Sequence, residues 1–323
     1  MSHYDVFNGD ADGLCALHQL RLADPRESTL VTGVKRDIAL LERVPAAAGD
    51  SVTVLDVSLD RNRAALSKLL QAGVAVEYFD HHFAGAIPSD PLLRAYIDTA
   101  SGVCTSVLVD RHLHGRYRPW AVVAAFGDNL HPTARAMGRS CGMAQREIEL
   151  LRDLGESMNY NGYGDSESDL LLPPVDLYRA LQPFASPLDF IAKHDAPRRL
   201  AQARRRDLAL ASGQASIEQG PAGALVVLPG TRWARRVQGE FANTLAAAEP
   251  QRAHAVLCEL ADGYRVSVRA PLARPWGADG LCRGFPTGGG RAGAAGIDVL
   301  PRERLDEFAR AFAQVFDPQP GAC

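Results

Sequence analysis

The chain predicts an α/β protein: an N-terminal doubly wound, mostly parallel sheet, joined by a helical linker to a smaller C-terminal α/β domain. Three observations predict it. Short apolar strands alternate with helix-length amphipathic segments through residues 1–130, the pattern of an open parallel sheet covered on both faces. Acids and histidines recur just past those strands. A second strand–helix set follows an arginine-rich segment, and 323 residues suit two domains at ~100–200 residues each.

Residues 4–8 read as the first strand and 13–22 as the helix after it. Residues 30–34 are a second strand, followed by a helix over 37–43. Residues 51–57 are apolar and β-rich, and 60–72 set Leu66, Leu69 and Leu70 at helical spacing. Residues 74–79 form a further strand and 96–98 another, and 103–113 and 120–127 read as helices. Residues 143–193 look helical, interrupted at Pro173, Pro174 and Pro183, with the polar, glycine-rich stretch 159–169 as an exposed loop. An arginine-rich helix near 198–210 suits a linker. Beyond it lie a strand at 224–228, a helix at 241–248, a hairpin of 255–260 with 264–269 around Ala261-Asp262-Gly263, and an amphipathic helix at 303–315. The expected domains are 1–195 and 220–323, with 196–219 as a basic helical linker.

Hydrophobic residues make up 46% and charged residues 23%, ordinary for a globular chain that can bury a core. The opening MSHYDVFNGD lacks the basic and apolar regions of a signal peptide. No run of ~18 apolar residues suggests a membrane span. Six scattered cysteines without a C-x-x-C pair argue against a zinc knuckle or disulfide scaffold and fit a reducing cytoplasm. The net charge of -3 does not mark a binder of long duplex nucleic acid. The charge is uneven: 191–236 holds nine Lys or Arg against three acids, which leaves the rest at -9. An acidic part beside a basic one suits a metal site next to an anion-holding surface.

Asp10 and Asp12 sit past the first strand in FNGDADGL, Asp56 ends the third, and Asp80-His81-His82 follow the fourth. Three strands thus deliver acids or histidines at their C-terminal ends, the ligand-binding edge of an open parallel sheet. Converging carboxylates cannot all ionise unless cations neutralise them. Carboxylate with imidazole suits Mn²⁺, with Mg²⁺ or Fe²⁺ as alternatives, and two such ions can clamp a phosphoryl group. Each acid also has a structural reading, Asp10 and Asp12 as turn or cap residues and Asp56 as a cap. Asn8-x-Asp10-x-Asp12-Gly13 imitates a calcium EF-hand loop, but Gln19 stands where the twelfth-position Glu belongs and a strand precedes it. A haloacid-dehalogenase-type phosphatase, with Asp10 as nucleophile, leaves Asp80-His81-His82 unexplained.

Taken together, these residues resemble the DHH phosphoesterase superfamily. Its four motifs match Asp10-Ala-Asp12-Gly13, Asp56 in VLDVSLD, Asp80-His81-His82, and Asp128 in AAFGDN. The C-terminal part is similar to the DHH-associated domain through Gly239-Glu-Phe-Ala-Asn243, Arg265-Val-Ser-Val-Arg269 and the glycine-rich run from Gly288 to Gly296. The resemblance implies two divalent cations. Asp10 and Asp56 would bind one; Asp12, Asp56, His81 and Asp128 would bind the other, with a bridging hydroxide attacking phosphorus in line. Asp80 would orient the histidines or touch metal, and His82 would hydrogen-bond the phosphate. Many relatives place a His or Asp near Asn8, which is an uncharged and weaker donor here. They also place a His where this chain has Arg291.

The resemblance further implies that the second domain closes over the active site. Gly288, Gly289 and Gly290 would let backbone N–H groups approach a phosphate, and Arg269 and Arg291 would pair with phosphates. Lys35 and Arg36, directly after the second strand, would face the catalytic edge. A cleft between small domains favours short oligonucleotides, cleaved to mononucleotides as in nanoRNase-type relatives. The runners-up are 3′-phosphoadenosine 5′-phosphate, a linear or cyclic dinucleotide, and polyphosphate. A nucleotide binder without turnover is the alternative of another class. No membrane partner is expected, and a homodimer is left open.

Overall fold

The computed structural model describes residues 1–317. The chain divides into two compact units, Met1–Ala203 and a second that starts at Arg204. In the first unit the elements are β1 (His3–Phe7), α1 (Ala11–Ala23), β2 (Thr29–Val31), β3 (Ser51–Leu55), α2 (Leu59–Gln71), β4 (Ala75–Asp80), β5 (Leu93–Ile97), α3 (Thr105–His112), α4 (Arg118–Gly127), α5 (His131–Ser140), α6 (Gln145–Gly162), α7 (Pro174–Leu181) and α8 (Pro187–Lys193). Helix α9 (Ala196–Ser212) contains the division: Ala196 and Leu200 lie in the core of the first unit, and Asp207 pairs with Arg236 in the second at 2.6 Å.

The first sheet has the order β2-β1-β3-β4-β5 with every pairing parallel. Successive side chains on a strand point to opposite faces, and the strands here are apolar on both. Phe7, Leu55 and Phe79 enter a core with α1, α3, α4 and α6. Their neighbours Val6, Val54 and Tyr78 enter a second core with Leu66, Leu69 and Leu70 of α2. Two buried faces explain why these strands carry apolar residues at adjacent positions.

The expected helix over 37–43 is a single 3-10 turn, Leu40–Arg43. Asn62 of α2 takes the Leu41 N–H at 3.2 Å and gives its Nδ2–H to the Ile38 carbonyl at 2.6 Å, so a side chain satisfies backbone groups that a helix would have used. Of the expected exposed loop at 159–169, residues 165–168 are exposed, but its first part is a correction. Helix α6 runs on to Gly162, and Asn161 is buried, accepting from Leu171 and Leu172 N–H and donating to the Leu172 carbonyl. The polarity of this stretch is used internally to tie one turn to the next.

The second unit contains β6 (Ser216–Gly220), β7 (Gly223–Leu228), α10 (Arg232–Ala248), β8 (Ala253–Leu260), β9 (Gly263–Arg269), α11 (Ala278–Arg283), β10 (Gly288–Arg291), β11 (Ala294–Pro301) and α12 (Leu305–Phe316). Its sheet has the order β10-β11-β9-β8-β7-β6. The expected hairpin is there, with β8 antiparallel to β9. Phe308, Phe312 and Phe316 of α12 join Leu257, Val266, Val268 and Ile297 in one core. The fold class is therefore the one the sequence predicts. Among the described residues, no helix is long and apolar enough to cross a membrane.

Candidate metal centre

The strand order creates a reversal beside β1: the chain leaves β1 for β2 on one side and returns past it to β3 on the other. Such a reversal opens a crevice at the C-terminal ends of the two strands. Asp10 follows β1 and Asp56 follows β3, so both stand at that crevice.

Asp10 is the N-cap of α1, its Oδ1 accepting from Asp12 N at 2.9 Å and Gly13 N at 3.2 Å. Asn8 accepts from Asp10 N at 3.2 Å through Oδ1 and donates through Nδ2 to the Lys35 carbonyl at 3.3 Å. Asp12 holds the start of α3, with one carboxylate oxygen 2.7 Å from Thr105 N and the other 2.7 Å from Ser106 N. Asp56 has φ +57°, a left-handed conformation that is uncommon for a residue with a side chain and is found preferentially where function holds it. Thr105 Oγ1 donates to its Oδ1 at 3.3 Å.

Asp80 closes β4 and is fully buried. Its Oδ1 accepts from His81 N at 2.9 Å and from His82 Nδ1 at 2.7 Å, and its Oδ2 is buried with no hydrogen-bond partner. His81 Nδ1 lies 3.1 Å from the Val103 carbonyl, which can only accept, so Nδ1 carries a hydrogen and the ring turns Nε2 toward the carboxylates. That Nε2 is 3.4 Å from Asp56 Oδ1 and 3.9 Å from Asp128 Oδ2. Asp128 follows the last turn of α4, where Gly127 lies against Ala11 and Gly155.

The electrostatics are those of an acidic hole. Asp10, Asp12 and Asp56 are each at most 3% exposed. Burial, then the charges of Asp12 and Asp10, push the Asp56 carboxyl well above its usual range. Burial also raises Asp128, against the pull of Lys35. Burial would raise Asp10 too, but the ammonium of Lys35 outweighs it and the net shift is downward. Burial would lower His81, yet the Asp56 hydrogen bond and the surrounding carboxylates raise it to about 10. A group of anions that traps a proton on an imidazole will trade it for a metal ion.

Asp56, His81 and His82 each offer a ligand atom within 4.8 Å of one another. We favour Asp128 over His82 as the third donor, because the His82 Nδ1–H is already given to Asp80 at 2.7 Å. Carboxylate oxygens with one imidazole suit a hard to borderline divalent cation. The residues present therefore fit a metal ion.

Lys35 sits inside this group, its Nζ 2.5 Å from Asp10 Oδ2 and 3.9 Å from Asp128 Oδ1. Arg36 is exposed. In the second unit, Arg269 gives Nε–H to Asn243 Oδ1 at 2.6 Å and Nη2–H to the Gly239 carbonyl at 3.3 Å, tying two of the family-like segments together. Gly288, Gly289 and Gly290 form strand β10, paired with Ile297, Gly296 and Ala295. A Cβ on Gly288 would lie 1.8 Å from the Cys282 carbonyl oxygen, so close packing requires that glycine. Arg291 is exposed at the end of the strand.

Sequence reasoning did not find Asn159, whose Oδ1 accepts from Lys35 Nζ at 2.8 Å, nor Thr105 and Ser106 at the Asp12 carboxylate. The one available signal was Gly162: a Cβ there would lie 2.9 Å from Asp10 Cβ, so a glycine in this stretch marks close approach to the site.

No family model and no curated protein matches the sequence. Solved structures do. A manganese-bound exonuclease RecJ is 18% identical, covers 99% of this chain and 91% of its own, and superposes with a TM-score of 0.65. RecJ from Thermus thermophilus in complex with Mn²⁺ is 19% identical over 97% of this chain and 52% of its own, with a TM-score of 0.63. A pGpG-specific phosphodiesterase, PggH, from Vibrio cholerae is 16% identical over 98% of this chain and 99% of its own, with a TM-score of 0.55. At these identities the likeness is one of fold: the chain has the fold of the DHH phosphoesterase superfamily, with Asp10, Asp56 and Asp80-His81 at one edge of its parallel sheet.

Proposed function

We propose that the chain is a divalent-cation-dependent phosphoesterase that hydrolyses short oligonucleotides or small linear nucleotides. One observation carries this reading. Asp56 Oδ1, His81 Nε2 and Asp128 Oδ2 meet within 3.9 Å of the histidine nitrogen, at the sheet edge where such folds bind ligands. Mn²⁺ is the favoured ion, with Mg²⁺ or Fe²⁺ as alternatives, and Asp56, His81 and Asp128 would hold it. When bound there, a divalent cation supplies Lewis acidity toward a phosphoryl oxygen and lowers the pKa of water.

The chain's own groups do the rest. His82, with Nδ1 fixed by Asp80, presents Nε2 on a side chain that is 44% exposed, and a protonated His82 would hydrogen-bond a phosphoryl oxygen as charge develops on it. Asp80 holds that ring and stabilises its charge. Arg36, exposed one residue past Lys35, would face a further phosphate of the substrate. The folds of an exonuclease and of a phosphodiesterase for pGpG, itself a linear dinucleotide, are in keeping with a nucleotide substrate.

The test is release of mononucleotides from 5′-labelled RNA dimers and trimers and from pGpG with Mn²⁺. Phosphoadenosine phosphate, a cyclic dinucleotide and polyphosphate would run alongside. Faster turnover of the linear species supports the proposal. No turnover of any of them with Mn²⁺, Mg²⁺ or Co²⁺, together with tight nucleotide binding, would replace it with a binding function.

A further inference from the structure

One side of the acidic group already holds a cation, and it belongs to the chain. Lys35 Nζ lies 2.5 Å from Asp10 Oδ2, 2.8 Å from Asn159 Oδ1 and 3.9 Å from Asp128 Oδ1. It is also 5.4 Å from the centroid of the Tyr163 ring. A carboxylate, a neutral amide oxygen and an aromatic face together form a cage for an ammonium. A hard divalent ion takes oxygen ligands and gains nothing from a ring face.

The cage is built into the backbone. Lys35 N donates to the Gly162 carbonyl at 2.8 Å, and Asn8 Nδ2 donates to the Lys35 carbonyl at 3.3 Å. Asn159, Gly162 and Tyr163 come from the last turn of α6 and the residue after it, and each touches Lys35 or Asp10. The groups expected to hold a metal ion here are committed elsewhere. Asp10 Oδ1 accepts two N–H groups of α1, Asp10 Oδ2 accepts from Lys35, and Asn8 Oδ1 accepts from Asp10 N. His81 Nε2 instead faces Asp56 Oδ1 at 3.4 Å and Asp128 Oδ2 at 3.9 Å.

We propose that the Lys35 ammonium permanently fills the first of the two cation positions, so that the chain binds one divalent ion, through Asp56, His81 and Asp128. This rests on the metal-dependent reading above. Asp10, Asp12, Asp56 and Asp128 bring four negative charges, and Lys35 with one divalent ion nearly balances them. A second divalent ion would have to expel the ammonium from Asp10. The lysine thus supplies fixed positive charge where a relative with an ionic ligand at the Asn8 position would hold a metal.

The deciding experiment counts ions in the full chain. Mn²⁺ is titrated into metal-free protein by calorimetry, bound manganese is measured after gel filtration, and the spectrum is recorded by electron paramagnetic resonance. The wild type is expected to bind one Mn²⁺ and to give the six-line signal of an isolated ion. Lys35→Ala and Lys35→Met, the second keeping the length of the stem without its charge, are expected to bind two and to give an exchange-coupled signal. Two ions and a coupled signal in the wild type would overturn the inference while leaving the metal-dependent reading intact. No bound ion in the wild type would overturn both.

Discussion

Asp80 Oδ1 stands 2.7 Å from His82 Nδ1, and Asp80 is fully buried while the imidazole it holds is 44% exposed. A buried carboxylate fixes which nitrogen carries the hydrogen and where the ring points, at the cost of desolvating itself. The arrangement separates an exposed imidazole from the buried carboxylate behind it.

Removing His82 takes away the group that would meet the phosphoryl oxygen. His82→Ala is expected to lower kcat by about 10²–10³-fold with little change in bound Mn²⁺. Asp80→Asn keeps the size and loses the charge, and the outer partner of such a histidine is commonly worth about 10–100-fold. Steady-state kinetics of both variants on an RNA dimer, with Mn²⁺ content measured in parallel, check the separation. Loss of metal from His82→Ala would make His82 a ligand.

Asp56 carries the clearest conflict between folding and function. Its carboxyl is driven well above the usual range by burial and by Asp12 and Asp10, so its charge opposes the metal-free fold. Asp56→Asn keeps a residue type that tolerates φ +57° and removes that charge. With chelator present, the variant is expected to melt above the wild type. With Mn²⁺ the order reverses: a ligand at 1,000 times its Kd stabilises by about 4 kcal/mol, on the order of 10 °C for a unit of this size. Hydrolysis should fall by several orders of magnitude in Asp56→Ala. Melting curves with and without Mn²⁺ read the first effect independently of activity.

Acid should weaken the first unit in two stages. His18 is buried, donates to the Phe184 carbonyl at 2.8 Å and packs edge-on against Trp120. Burial lowers it from 6.5 to about 4. The neutral ring therefore favours folding above pH 6.5, and this advantage, on the order of 3 kcal/mol, is lost as pH falls toward 4. Asp5 follows. Burial would raise it, but Arg21 and His3 hold it at about 2, so roughly 2 kcal/mol is lost between pH 4 and pH 2. Urea midpoints measured from pH 7 to pH 2 check both, and His18→Phe should flatten only the upper stage.

The parts of this protein that were legible in its sequence are those that local chemistry specifies. Strands β1, β3 and β4 read clearly because each carries apolar residues on two buried faces and is closed or followed within three residues by an acid. The grouping of Asp10, Asp56 and Asp80-His81 followed from the rule that parallel strands present their C-terminal ends to one edge. What was illegible depends on partners far along the chain. Asn159 looked like loop because its stretch is polar and glycine-rich, yet Lys35 and Asp10 give that polarity a use. Asp12 read as a metal ligand, with a cap of its own helix as the alternative, and neither reading showed that its carboxylate holds α3. The glycine-rich run at 288–296 read as a segment that lets a phosphate approach, and composition does not show that close packing requires Gly288.

The same distinction yields a prediction at α4 and α6. A Cβ on Gly155 would lie 2.1 Å from the Val123 carbonyl oxygen and 3.0 Å from Gly127 N, both backbone atoms that cannot turn aside. The helices must part, and Gly127 immediately precedes Asp128. Gly155→Ala is expected to destabilise the first unit by about 1–3 kcal/mol through overpacking. It should also weaken Mn²⁺ binding, because the shift moves a ligand. Gly280, in α11 of the second unit, has open space where its Cβ would be, and Gly280→Ala should instead stabilise that unit by about 0.5–1 kcal/mol. Denaturant unfolding of both variants, with Mn²⁺ titration of the first, tests whether glycine packing sets the position of Asp128. Unchanged Mn²⁺ affinity in a destabilised Gly155→Ala would show that helix packing and ligand placement are independent.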